Sequence, residues 1–180
     1  MILIINICKE KLHYFEFVKP ICDILDNHEL KYNVLHYKNV NKKDLKKASK
    51  VIICGTSLFD NEFIKHLNKF KWILDFEKPV LGICGGMQII GKLFGGKLLK
   101  KTEIGFFIET FDREFLGLHG EQGVYHLHNF FIDFFKLKDF RVYSGENICQ
   151  AIKHNDKNIY AVLFHPEVRQ KGLIKQFCSL

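Results

Sequence analysis

The sequence predicts an α/β protein: an open, mostly parallel sheet with helices on both faces, extended by added antiparallel strands. Three observations carry this expectation. Short aliphatic runs alternate with segments of helical spacing through the first 96 residues. Those runs are apolar throughout instead of alternating, as strands buried on both faces are. After Gly96 the helix signals thin out, and aromatic-rich segments with strand-like alternation take over.

Residues 2–7 form the first apolar run and the first expected strand. Residues 10–27 have helical spacing with Phe15, Val18, Cys22 and Leu25 on one face, and Pro20 should kink or split that helix. Residues 32–36 read as a second strand, 44–48 as a short helix, and 51–54 as a third strand ended by Gly55. A helix is expected over 60–76, a fourth buried strand over 79–83, and a helix over 86–94 closed by Gly95 and Gly96. Residues 105–111, 124–131 and 140–143 are the expected antiparallel strands, 158–164 the last strand and 169–177 the last helix.

The length of 180 residues suits one domain spanning 1–180, and no linker, repeat or low-complexity stretch divides it. With 47% apolar residues, including 18 Phe, the chain can fill a core and is not of disordered composition. Its apolar runs are far shorter than the roughly 18 residues of a membrane span. The amino terminus lacks the basic-then-apolar pattern of a secretory signal, so a cytoplasmic protein is expected, without membrane association. The net charge of +7 is spread over scattered lysines with no interleaved aromatic stripe, which argues against a nucleic-acid platform. The six cysteines contain no C-x-x-C pair, so neither a zinc ribbon nor a thioredoxin-type site is indicated.

Cys84 differs from the other five. It stands in Gly82-Ile-Cys-Gly-Gly86, where a buried strand runs into it and a helix starts after it. Glycines on either side permit the tight, strained turn of a nucleophile elbow. The partial positive charge of a helix amino terminus favours a thiolate there. The N–H of Gly85 points to the same place and can bind an oxyanion. A thiol nucleophile needs a base, and the base needs an orienting group. Phe164-His-Pro-Glu167 follows the last strand, so His165 can exchange the proton and Glu167 can hold its tautomer.

Together, Gly82-Ile-Cys-Gly-Gly-Met-Gln88 and Phe164-His-Pro-Glu167 resemble the class I, or triad, glutamine amidotransferases, and the resemblance covers nearly the whole chain. It implies a flavodoxin-like glutaminase fold and a Cys84–His165–Glu167 triad that hydrolyses glutamine through a glutamyl thioester. It also implies an oxyanion hole from Gly85 and the Gly55–Thr56 loop. Substrate contacts would come from Gln88 and from the His128-Asn129-Phe130 segment. The loop departs from the family's Gly-Gly-Pro pattern. A β-branched Thr56 would be strained if that position required positive φ. Such a hole would form only on binding a partner.

Within that family the carboxyl-terminal motifs look most like the stand-alone glutaminase subunit of archaeal-type GMP synthase. That likeness implies a partner, a separate ammonia-accepting synthetase subunit. A glutaminase of another biosynthetic pathway, a γ-glutamyl hydrolase, or a non-catalytic binding protein on the same fold are the rival readings. No cofactor is implied. His126 and His128 share a strand face, with His119 close in sequence, but no third ligand with its own spacing accompanies them, so no metal is expected.

Overall fold

The computed structural model describes all 180 residues. A single sheet of nine strands runs through it, in the order β2-β1-β3-β4-β9-β8-β7-β5-β6. The parallel part comprises β1 (Ile2–Asn6), β2 (Tyr32–His36), β3 (Lys50–Ile53), β4 (Val80–Ile83) and β9 (Ile159–Val162). In β3 and β4 every residue from Val51 to Ile53 and from Val80 to Ile83 is buried, which explains their unbroken apolar runs. β8 (Ala151–His154), β7 (Phe140–Ser144), β5 (Leu98–Phe115) and β6 (Leu118–Ile132) continue the sheet in antiparallel pairing. Helices α1 (Lys11–His13), α2 (Lys19–Asp26), α3 (Lys42–Lys47), α4 (Gly85–Leu93) and α5 (Lys171–Ser179) complete the fold. No helix is long and apolar enough to cross a membrane.

Four expectations are corrected. The helix of residues 10–27 is divided by a π-helical turn over Tyr14–Val18, with Pro20 in the first turn of α2. The extra residue in that turn rotates the apolar face. Phe17 and Val18 are therefore buried, whereas Phe15 points outward at 64% exposure. The segment Glu62–Asp75 is 3₁₀-helical instead of α-helical, broken at His66. Phe70 and Ile73, three residues apart, eclipse on its inner edge, as three residues per turn requires. The strands expected over 105–111 and 124–131 are the middles of much longer strands, joined by a two-residue turn in which Leu116 and Gly117 both have positive φ. β8 is a further strand that the sequence pattern does not single out.

The long β5–β6 hairpin leaves the far edge of the sheet and curls back over it. The N–H of His165 donates to the carbonyl of Tyr125 at 2.8 Å, bringing the middle of β6 to the carboxyl ends of β4 and β9. All the sequence-predicted site residues meet in that corner.

Candidate active site

Cys84 ends β4 and precedes α4 with φ 48° and ψ −100°, a conformation that a residue with a Cβ adopts only under constraint. Its N–H donates to the carbonyl of Val162 at 2.8 Å, and its carbonyl accepts from the N–H of Gln88 at 3.1 Å. The flanking glycines are required by contact. A Cβ on Gly82 would lie 2.7 Å from the backbone of Gly86, and one on Gly86 would lie 2.6 Å from the carbonyl oxygen of Ile53. The elbow therefore packs strand directly onto helix.

His165 and Glu167 lie just beyond β9, both buried, with Nδ1 of the imidazole 2.7 Å from Oε1 of the carboxylate. Burial alone would push the His165 pKa down. The charges of Glu167 and Cys84 outweigh it and hold the imidazole well above the ordinary histidine range. Nε2 has no hydrogen-bond partner, while the Cys84 thiol is close enough to act on the ring's charge. The thiol itself faces the carbonyl of Leu127 on β6, 3.6 Å away.

Gly55 ends β3 beside both groups. A Cβ there would meet Cε1 of His165 at 2.5 Å and Cβ of Cys84 at 3.4 Å. The next residue, Thr56, is not strained: the non-glycine residues with positive φ are Glu29, Cys84 and Leu116. Its side chain faces inward, and Oγ1 donates to Oδ2 of Asp60 at 2.8 Å. The same carboxylate oxygen accepts from the N–H of Lys9 at 2.6 Å. Asp60 therefore ties the loop after β3 to the loop after β1. Sequence reasoning missed it, because a buried acid four residues beyond a buried threonine has no local signature.

Gln88 is buried on α4, and its Nε2 donates to the carbonyl of Phe130 at 2.9 Å. Asn129 reaches across to the loop, donating from Nδ2 to the carbonyl of Leu58 at 3.1 Å. These contacts enclose a pocket bordered by Thr56, Cys84, Gly85, Gln88, Leu127 and His128. Its free volume is only about 10 Å³, the space of roughly one water. On the other side of the triad a larger, mainly apolar cavity of about 380 Å³ is shared by Phe17, Phe59, Tyr125, His165, Glu167 and Val168.

His126 and His128 project from the buried face of β6. Burial pushes His128 down to about 4 despite the opposing charge of Glu103, so it is a neutral imidazole at neutral pH. Glu103, directly opposite His128 across the hairpin, supplies the third group that spacing along the chain could not show.

An elbow cysteine, a buried histidine–glutamate pair and a glycine wedged between them, all at the carboxyl edge of a parallel sheet, define an α/β protein with a thiol–imidazole–carboxylate site. The chain belongs to the family described as glutamine amidotransferase class-I, whose model matches residues 13–177. It is 34% identical over 114 residues to a glutamine-hydrolysing GMP synthase of Spiroplasma kunkelii, an alignment covering 61% of this chain and 22% of that one. It is 33% identical over 110 residues to a glutamine-hydrolysing GMP synthase subunit of Methanobrevibacter smithii, covering 56% of each. The chain thus spans well under two thirds of the length of these relatives. A crystal structure of a Thermoplasma acidophilum protein proposed as a GMP synthase subunit superposes with a TM-score of 0.84 at 23% identity, covering 99% of this chain and 93% of that one.

Proposed function

We propose that the chain hydrolyses glutamine to glutamate and ammonia, and that it supplies the ammonia to a separate synthetase subunit of the GMP-forming kind. The observation that carries this reading is the junction of Gly55, Cys84 and the His165–Glu167 pair within one buried corner. The family membership and the GMP synthase relatives support the substrate and the pathway.

In this mechanism the Cys84 sulfur attacks the side-chain amide carbon, and the N–H groups of Gly85 and of the Gly55–Thr56 loop stabilise the oxyanion. His165 delivers its proton to the departing nitrogen as the C–N bond breaks and ammonia leaves. Water then adds to the glutamyl thioester, giving up a proton to His165, and glutamate leaves as the thiolate is restored. Glu167 keeps the imidazole oriented and balances its charge in both halves. Gln88 and the backbone of His128-Asn129-Phe130 hold the amino-acid end of the substrate.

The parallel order β2-β1-β3-β4-β9 supports the flavodoxin-like description of the central sheet. The pocket beside Cys84 is too small for glutamine, which supports a closed resting form that opens on partner binding. The partner would act at the rim, where Phe59 is 90% exposed and Val168 49% exposed over the cavity bordered by the triad. The test is ammonia release from glutamine, by the chain alone and by the chain mixed with a GMP-forming synthetase subunit. Stimulation by the synthetase that Cys84→Ala abolishes is expected. Full activity in Cys84→Ala would reject the reading.

A further inference from the structure

The side chains of the buried cluster at the root of the β5–β6 hairpin have no part in the chemistry above, which uses only the backbone of His128. Glu103 stands opposite His128 and Gly105 opposite His126, so the carboxylate and both rings project from one face of the paired strands. Nε2 of His128 lies 3.0 Å from Oε2 of Glu103. Nδ1 of His126 lies 3.5 Å from the same oxygen and 3.4 Å from Nε2 of His128. These three atoms form a nearly equilateral triangle. Tetrahedral zinc with ligands at about 2.0–2.1 Å separates them by about 3.3 Å.

The surroundings extend the pattern. On the outer side of the His126 ring, Nε2 is 3.3 Å from Oε1 of Glu109 and has no aligned hydrogen bond. A carboxylate behind the far nitrogen is the arrangement that orients a metal-binding histidine and fixes its tautomer. Nε2 of Gln150 donates to Oε2 of Glu103 at 3.0 Å, while its buried Oε1 is unpartnered. A cleft of about 470 Å³ is bordered by Glu103, Glu109 and Gln150 and gives a route from solvent.

His126 is wholly buried, and Nδ1 of His128 is likewise buried without a hydrogen-bond partner.

We propose that Glu103, His126 and His128 bind a divalent transition-metal ion of the zinc type, which clasps β5 to β6 beside the Leu127–Phe130 rim of the substrate pocket. The ion joins neighbouring strands and sits outside the thiol site, so the assignment stands apart from the glutaminase reading. Its measurement does not depend on turnover.

The test uses the full chain carrying Cys84→Ser, which removes the active-site thiol as a competing ligand, after treatment with a chelator. Titration with zinc chloride should show one tightly bound equivalent and a raised Tm. Glu103→Gln and His126→Asn should each weaken binding by more than about 100-fold, since changing even the groups behind a ligand costs about 10–100-fold. His119→Gln, on the same hairpin but outside the cluster, should bind as before. Cobalt(II) loading of the same chain gives a second readout that needs no ligand variant: intense tetrahedral d–d bands without thiolate-to-cobalt charge transfer. Absence of a bound equivalent overturns the proposal. A thiolate charge-transfer band also overturns it, as does binding unchanged in both ligand variants.

Discussion

Nδ1 of His165 donates to Oε1 of Glu167 across 2.7 Å, and both side chains are almost wholly withdrawn from solvent. The pair sits two residues apart across Pro166, so the geometry is set by a short, rigid backbone segment just after β9. Glu167→Gln keeps the shape and removes the charge that holds the imidazole proton. Glutamine-dependent ammonia release by the activated complex should fall by about 10³–10⁴-fold in kcat, with KM changed much less. Steady-state kinetics check this. An unchanged kcat would remove Glu167 from the catalytic set.

The same pair has a stability signature. His165 is raised in the folded protein, so the folded state binds more protons than the unfolded state above the ordinary histidine value of about 6.5. Its contribution is complete below about pH 6.5 and fades as pH rises through the folded value. Denaturant unfolding from about pH 6.5 to 8.5 should therefore show a steeper loss of stability in the unmodified protein than in His165→Gln. Parallel curves would contradict the assignment.

Gly55 is the close-approach position of the site. In Gly55→Ala the new methyl would overlap Cε1 of His165, which lies 2.5 Å from the Cβ position, and would also touch Cβ of Cys84 at 3.4 Å. The imidazole must shift, and a displaced base should cost on the order of 10²-fold in kcat. Melting of the variant alongside its kinetics separates a moved histidine from a lost fold.

Thr56 stands where the family resemblance implies a glycine, without positive φ and hence without that strain, and its hydroxyl makes a buried hydrogen bond. Thr56→Val keeps the shape and deletes the hydroxyl. Equilibrium unfolding should show a loss of about 1–2 kcal/mol, since Asp60 retains the N–H groups of Lys9 and Glu62 but loses its buried hydroxyl partner. A neutral result would mean that the Asp60 tie is not what secures the loop.

The parallel strands and the elbow were legible because both are local. A run such as Val80–Ile83 is apolar on both faces, and Gly82, Gly85 and Gly86 bracket a single cysteine. The histidine–glutamate pair was legible for the same reason, being held in three consecutive residues. What escaped the sequence depends on register. The π-turn that turns Phe15 outward depends on one inserted residue, and β5 gains its length from pairing with β6 across a Leu116–Gly117 turn that lacks the usual Asn-Gly signature. Glu103 meets His128 only across the hairpin, 25 residues away in sequence, and the tie that Asp60 makes to the loop after β1 reaches Lys9, 51 residues away.

The whole mechanism turns on Cys84 carrying the glutamyl group. The decisive experiment is mass spectrometry of the chain after it has been mixed with the synthetase subunit, then treated with a glutamine-analogue affinity label. One adduct per chain is expected, located on Cys84 and missing from Cys84→Ala. An unmodified Cys84 in a complex that still hydrolyses glutamine, or an adduct on another residue, would take that role away from Cys84.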